Sequence, residues 1–122
     1  MPRIHVVFYQ EHLGAVPVLD WLDTLPAKAQ DKCFVKIERL RELGHELRRP
    51  EGDYLRDGIY ELRVSLQSVN YRILYFFHGK LAAVLARGLI KEGVVPAGAI
   101  EEAIRMKQQF AQNPKAHTYQ EG

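Results

Sequence analysis

Residues 59–78 constrain this chain most, because two runs rich in β-branched and aromatic residues flank a short polar break, the pattern of a β-hairpin. In the first run Tyr60, Leu62, Val64 and Leu66 point to one side and Glu61, Arg63 and Ser65 to the other. With residues 67–70 taken as the loop, Leu66 faces Tyr71, and 65 pairs with 72, 64 with 73 and 63 with 74. Tyr71, Ile73, Tyr75 and Phe77 then join the apolar face, and Arg72 joins the face of Arg63. The two arginines become diagonal neighbours, roughly 7–8 Å apart at Cα. Two guanidinium groups held together on a sheet suit a phosphate.

The remaining elements are placed around this hairpin. Arg3 to Tyr9 reads as a first strand, and a short helix is expected from Ala15 to about Thr24, with Pro17 in its first turn. A longer helix is expected over Ala27 to Leu43, with Cys33, Ile37, Leu40 and Phe34 as its apolar stripe and Gly44 as its stop. Residues 45–58 are polar and turn-rich and are read as a connection. After the hairpin, Gly79-Lys80 is read as a two-residue turn into a third antiparallel strand, Leu81 to Lys91. That register sets 72 against 87 and puts Arg87 and Lys91 on the arginine face. Ala82, Val84, Ala86, Gly88 and Ile90 then lie on the core side, and Leu74, Phe76, Leu85 and Leu89 leave an apolar patch beside the arginines. The last helix opens at Pro96, with Ile100, Ala103, Ile104 and Phe110 as its stripe, and the tail 115–122 is expected to be disordered. The order is β-α-α-β-β-β-α: one α+β domain, a helical hairpin packed on a largely antiparallel sheet.

Composition excludes several function classes. A chain of 122 residues suits a single domain, and 47% apolar residues with 26% charged ones suits a folded one. A net charge of +2 does not by itself mark a nucleic-acid binder, so any such case rests on where the cations sit. One cysteine, Cys33, cannot close an internal disulfide. The apolar start at 4–9 is too short for a signal peptide and is broken by His5, and no run reaches transmembrane length. The expectation is a cytoplasmic protein without a membrane partner. No phosphate-cradling glycine motif, zinc-ligand pair or nucleophile elbow is present, and no metal or small-molecule cofactor is expected.

A metal-free RNA cleavage needs little more than the basic face provides. The 2′-OH attacks the adjacent phosphorus, a base takes its proton, cations stabilise the phosphorane, and an acid protonates the leaving 5′ oxygen as its bond to phosphorus breaks. Arg63, Arg72, Arg87 and Lys91 could carry the charge, and Glu61, on the same face as Arg63, could be the base.

The segment from Leu55 to Val64, with Gly58, Tyr60, Glu61, Leu62 and Arg63, is followed by Tyr71-Arg72-Ile73-Leu74-Tyr75-Phe76, Gly88-Leu89-Ile90-Lys91, Pro96 and Ala103. Together they resemble the phage-derived, HigB-like branch of the RelE/ParE toxin superfamily. The resemblance implies a RelE-like fold and a ribosome-dependent mRNA endoribonuclease, the toxin of a type II toxin–antitoxin pair. Its partners would be a cognate helix-turn-helix antitoxin, the ribosome and mRNA, and no cofactor is implied. Arg63 and Arg72 match strand positions where such toxins carry catalytic or RNA-contacting cations, and Lys91 matches the first of a usual lysine pair. Arg87 and Arg56 are then flanking RNA-binding cations. Glu92 replaces the second lysine, Arg87 a common histidine and Leu89 a common phenylalanine. These departures keep a rival open: a non-catalytic ParE-like toxin acting on DNA gyrase, or an impaired remnant that binds an antitoxin or nucleic acid.

Overall fold

A computed structural model describes residues 3–119. The strands are β1 (His5–Tyr9), β2 (Gly52–Arg56), β3 (Ile59–Leu66), β4 (Val69–His78), β5 (Ala82–Ile90) and β6 (Thr118–Tyr119). The helices are α1 (Pro17–Asp23), α2 (Ala27–Leu43) and α3 (Ala97–Gln112). The strands form one sheet in the order β2-β3-β4-β5-β1-β6, antiparallel except where β1 runs parallel to β5. The α+β class expected from the sequence is correct, and the architecture is compatible with a RelE-like fold.

The sheet is covered on both faces. On one, α1 and α2 bury Val18, Leu22, Cys33, Ile37 and Leu40 against Leu62, Val64, Tyr71, Ile73, Tyr75 and Leu85. On the other, α3 packs Ile100, Ala103, Met106 and Phe110 against Ile59, Leu74, Phe76, Val84 and Ala86. Each helix therefore presents one apolar stripe to one face, the arrangement that hides most apolar area in a chain of this size. The bounds expected for α2 are those observed, and Gly44 ends it with φ +55, a conformation open to glycine. Phe34 is the exception in the expected stripe. It is exposed, and Ala29 takes the buried place a turn earlier.

The other differences have local causes. The β3–β4 loop is two residues, Gln67 and Ser68, with φ 52° and 69°, the left-handed pair of a type I′ turn. Leu66 therefore faces Val69, and Arg63 pairs directly with Arg72 instead of lying diagonal to it. The β4–β5 loop has three residues, since His78 pairs with Ala82, and Ala86 forms a bulge between Leu85 and Arg87. These two offsets cancel for the far end of β5, so Arg87 still shares the face of Arg72 and Gly88 that of Ile73. Between them the faces are reversed: Val84 and Ala86 meet α3, and Leu85 meets α1 and α2. The apolar patch expected beside the arginines is thus divided. Leu74 and Phe76 lie buried under α3 and Leu89 packs partly against the same cluster, whereas Leu85 faces the opposite layer. Two strands were not foreseen. β2 arises within the segment read as a connection, and β6 arises in the expected disordered tail, where Tyr119 and Thr118 pair with Phe8 and Tyr9. Residues 120–122 of that tail lie outside the described residues.

At Gly88 the Trp21 ring of α1 packs directly against the sheet backbone. A Cβ there would sit 2.1 Å from Cε3 of Trp21 and 2.2 Å from its Cδ2. Gly88→Ala is expected to cost about 1–3 kcal/mol by overpacking. In Trp21→Leu, which vacates the clashing volume, the same change should cost clearly less. Urea denaturation of the two single variants and the double variant measures this coupling, and simple additivity would contradict the contact.

Candidate phosphate-binding site

The direct pairing of Arg63 with Arg72 would be repulsive if nothing stood between the two charges. Glu61 stands between them, two residues before Arg63 on the same face. Its Oε2 accepts hydrogen bonds from Arg63 Nε (3.1 Å) and Nη2 (3.0 Å), and its Oε1 accepts one from Arg72 Nη1 (2.6 Å). Glu61 is 2% exposed. Both oxygens of this buried carboxylate are taken up by guanidinium groups, the condition under which a buried charge is tolerated.

The network extends outward through β2. Asp53 pairs with Glu61 across the strands and contacts Arg63 Nη2 at 3.5 Å, while Arg49 Nη2 holds it at 2.8 Å. The Arg49 hydrogen bond and charge, with the Tyr54 N–H and the Arg63 charge, keep the Asp53 carboxyl below its usual range against the opposing effect of burial. Two residues further back, Glu51 accepts hydrogen bonds from Arg39 Nε and Nη2 (3.0 Å each) and Lys36 Nζ (3.1 Å). These pull its carboxyl down to about 2, again against burial. The backbone carbonyl of Glu51 in turn accepts the N–H of Arg63 at 2.8 Å. Two cations of α2 therefore fix the residue that fixes the backbone of Arg63.

Arg63 and Arg72 differ in access. The Arg72 side chain is 11% exposed and that of Arg63 35%. They line a cleft of about 420 Å³ together with Asp53, Leu55, Glu61, Asn70 and Gly93 to Val95. Three guanidinium groups against two carboxylates leave this cluster one positive charge, with Arg63 its most exposed cation at the cleft.

Of the residues expected to form a site, Arg63, Arg72 and Glu61 are brought together. Lys91 lies next to them, outside the cleft lining: its N–H donates to the carbonyl of Asn70 at 3.1 Å, which continues the β4–β5 pairing, and its side chain is exposed. Arg87 and Arg56 are drawn to the start of α3 instead. Arg87 Nη1 is 3.3 Å from Glu102, and Arg56 bonds Asp57 at 2.7 Å and lies 3.7 Å from Glu101. Asp53 and Asn70 were missed as site residues. The signal for Asp53 was its position opposite Glu61, visible only once 52–56 is read as a strand. Among the described residues no cluster of His, Cys, Asp and Glu could hold a metal ion, and no helix is long and apolar enough to cross a membrane.

A family model described as phage derived protein Gp49-like (DUF891) matches residues 20–108, a span from α1 to within α3 that includes the whole cleft. That family is related to RelE-like toxins. A search of curated proteins gave no match.

Removing Glu61 is expected to be costly, since Glu61→Ala leaves Arg72 buried without its carboxylate. We expect a loss of about 3–5 kcal/mol in chemical denaturation. For Glu51 the folded pKa lies below the usual 4.5, so its contribution is complete above about pH 4.5 and fades as pH falls toward 2. Glu51→Gln should therefore be less stable than the wild type at pH 7. The gap should narrow below about pH 4.5 and nearly close by pH 2, as followed by urea denaturation across that range.

Proposed function

Since the chain belongs to the phage-derived Gp49-like family, we propose that it is the toxin of a type II toxin–antitoxin pair, of the HigB-like type, and a metal-independent endoribonuclease that cuts mRNA on the ribosome. The observation that carries this reading is the Arg63–Arg72 pair. It is held in direct cross-strand register by a buried carboxylate and opens to a cleft of about 420 Å³.

In this reading Arg63 contacts the scissile phosphate and stabilises the negative charge that grows on its oxygens as the 2′-OH attacks. Arg72, mostly buried, sets the electrostatics behind it, and Lys91, exposed at the adjoining strand end outside the cleft lining, would add its charge by turning toward the phosphate. Glu61 acts by holding both guanidinium groups. Its oxygens are already occupied, so we assign it a positioning role in place of a base. Asp53 is likewise engaged by arginines. The cleft supplies charge and position in preference to proton transfer, so water takes the 2′-OH proton and gives one to the leaving 5′ oxygen. Arg87 and Arg56, held by acidic residues of α3, would meet RNA only by exchanging those partners for phosphates. An antitoxin carrying acidic side chains would silence such a site by occupying Arg63.

A second reading, a ParE-like toxin acting on gyrase or a remnant that binds without cutting, is favoured by Glu92, an acid where a second lysine would add charge, and by the small excess charge of the cluster. Controlled expression in bacteria separates the two. The nuclease reading predicts growth arrest with loss of intact mRNA. Arg63→Ala should abolish both while the purified variant keeps a cooperative thermal transition. Arrest with intact mRNA and damaged DNA points to gyrase, and no arrest points to the remnant.

A further inference from the structure

A second cleft lies on the far side of β2, and the Arg63–Arg72 pair does not line it. It encloses about 550 Å³ and is lined by His45, Arg48, Arg49, Asp53, Tyr54 and Tyr60, over a floor made by Leu47 and Gly52. That volume is within the range of small-ligand sites. Its wall is aromatic. Tyr54 meets Tyr60 edge-on with centroids 5.0 Å apart, Tyr60 stacks on Tyr75 at 5.4 Å, and His45 stacks on Phe77 at 3.8 Å. Tyr54 is 53% exposed, a large amount for an aromatic ring on a strand. Its ring is nevertheless tethered, because its hydroxyl oxygen accepts the N–H of Gly58 at 3.1 Å. A tethered, half-exposed ring offers a stacking surface at little cost in side-chain entropy.

Charge joins this cleft to the other one. Arg48 and Arg49 are exposed at its rim. Arg49 grips Asp53, and Asp53 lies 3.5 Å from Arg63, so cations run from the aromatic cleft around the edge strand to the arginine pair. Among the described residues the edge strand β2 has a neighbour on one side only, which leaves its outer border open for an extended chain to cross. An aromatic face beside a track of cations is the combination that binds single-stranded nucleic acid: bases stack on the rings and phosphates follow the charges.

We propose that the Tyr54 cleft is a base-binding subsite for single-stranded RNA. It takes a nucleotide neighbouring the one whose phosphate lies at Arg63, with Arg49 holding the phosphate between them. This rests on the reading of Arg63 and Arg72 as a phosphate site and adds to it where the strand is gripped. The grip depends on stacking and charge, so it tolerates many base sequences.

Fluorescence anisotropy with a short labelled oligoribonucleotide of mixed sequence tests this, alongside an abasic oligomer of equal length and an acidic peptide. Tyr54→Ala should weaken RNA binding about tenfold or more, whereas Tyr54→Phe, which keeps the ring, should bind nearly as the wild type does. The abasic oligomer should not sense Tyr54→Ala. The salt dependence should lose about one unit of slope in Arg49→Ala and none in Tyr54→Ala. Circular dichroism confirms that each variant is folded. Equal losses for RNA and the abasic oligomer, or an unchanged affinity in Tyr54→Ala, would overturn the subsite, as would an acidic peptide that binds as well as RNA does. Wild-type growth arrest with mRNA loss but no affinity for free RNA overturns the subsite and leaves the nuclease reading standing. Tyr54-dependent RNA binding without growth arrest supports the subsite and removes the nuclease reading.

Discussion

The buried carboxylate of Glu61 is the interaction on which this molecule's arrangement of charge depends. Two arginines in direct register on adjacent strands repel each other, and one of them is almost fully covered. Burying a guanidinium without a partner costs several kcal/mol, more than an average domain can lose lightly. With Glu61 bridging both, the repulsion is replaced by two charge-assisted contacts, and β3 and β4 are held side by side by polar groups on one face and apolar ones on the other. The same carboxylate makes Asp53 across from it a liability, and Arg49 and Arg63 answer that one. Further out, α2 enters through Lys36 and Arg39, which seat Glu51. Secondary structure far apart in the chain is thus tied together by a requirement that starts at one buried acid.

How far this was legible in the sequence follows from which forces act locally. The alternation from Tyr60 to Phe77 assigned the two faces correctly, because side-chain direction has a period of two and survives a register error of two residues. The register itself was not legible. Gln67 and Ser68 adopt left-handed backbone without the glycine or asparagine that usually announces such a turn. α2 could be read to its ends because its stripe, the preceding Pro26 and the following Gly44 agree. β2 was hidden between Pro50, Gly52 and Gly58, residues that ordinarily mark loops. Its pairing with β3 is imposed from outside by the Glu51 carbonyl and the Asp53 ion pairs. The bulge at Ala86 left no local signal at all, yet it restored Arg87 to the arginine face. For the site, Arg63, Arg72 and Glu61 followed from alternation alone. Asp53 and Asn70 required the strand pairings, and what became of Arg87 and Arg56 required knowing where α3 lies.

The position of α3 decides how much of the charged face remains usable. The helix lies on the same side of the sheet as the arginines, covering Leu74 and Phe76, and its acidic residues Glu101 and Glu102 draw off Arg56 and Arg87. The apolar surface that sequence alone left needing a partner is largely satisfied within the chain. What stays open is a corner bounded by β2, the β5–α3 connection at Gly93 to Val95 and the Arg63–Arg72 pair. That connection brings Val94, almost fully exposed, and the buried Val95 to the rim of the cleft, a small apolar lip beside the most accessible guanidinium.

A corner with so little excess charge cannot hold a polyanion by electrostatics alone. The chain as a whole carries only +2, and a cation already engaged by a carboxylate meets a phosphate only by exchanging partners. Arg39, Arg49, Arg56 and Arg87 are all engaged in this way. Contacts made by exchange of partners gain little, because each arginine surrenders one charge-assisted bond to form another. Affinity and position must then come largely from interactions that need no net charge, which on this surface means ring faces. Tyr54 is a large, exposed ring lining the same cleft as Arg49, on the strand that also carries Asp53 and borders both clefts. For an RNA strand held here, stacking supplies what charge does not.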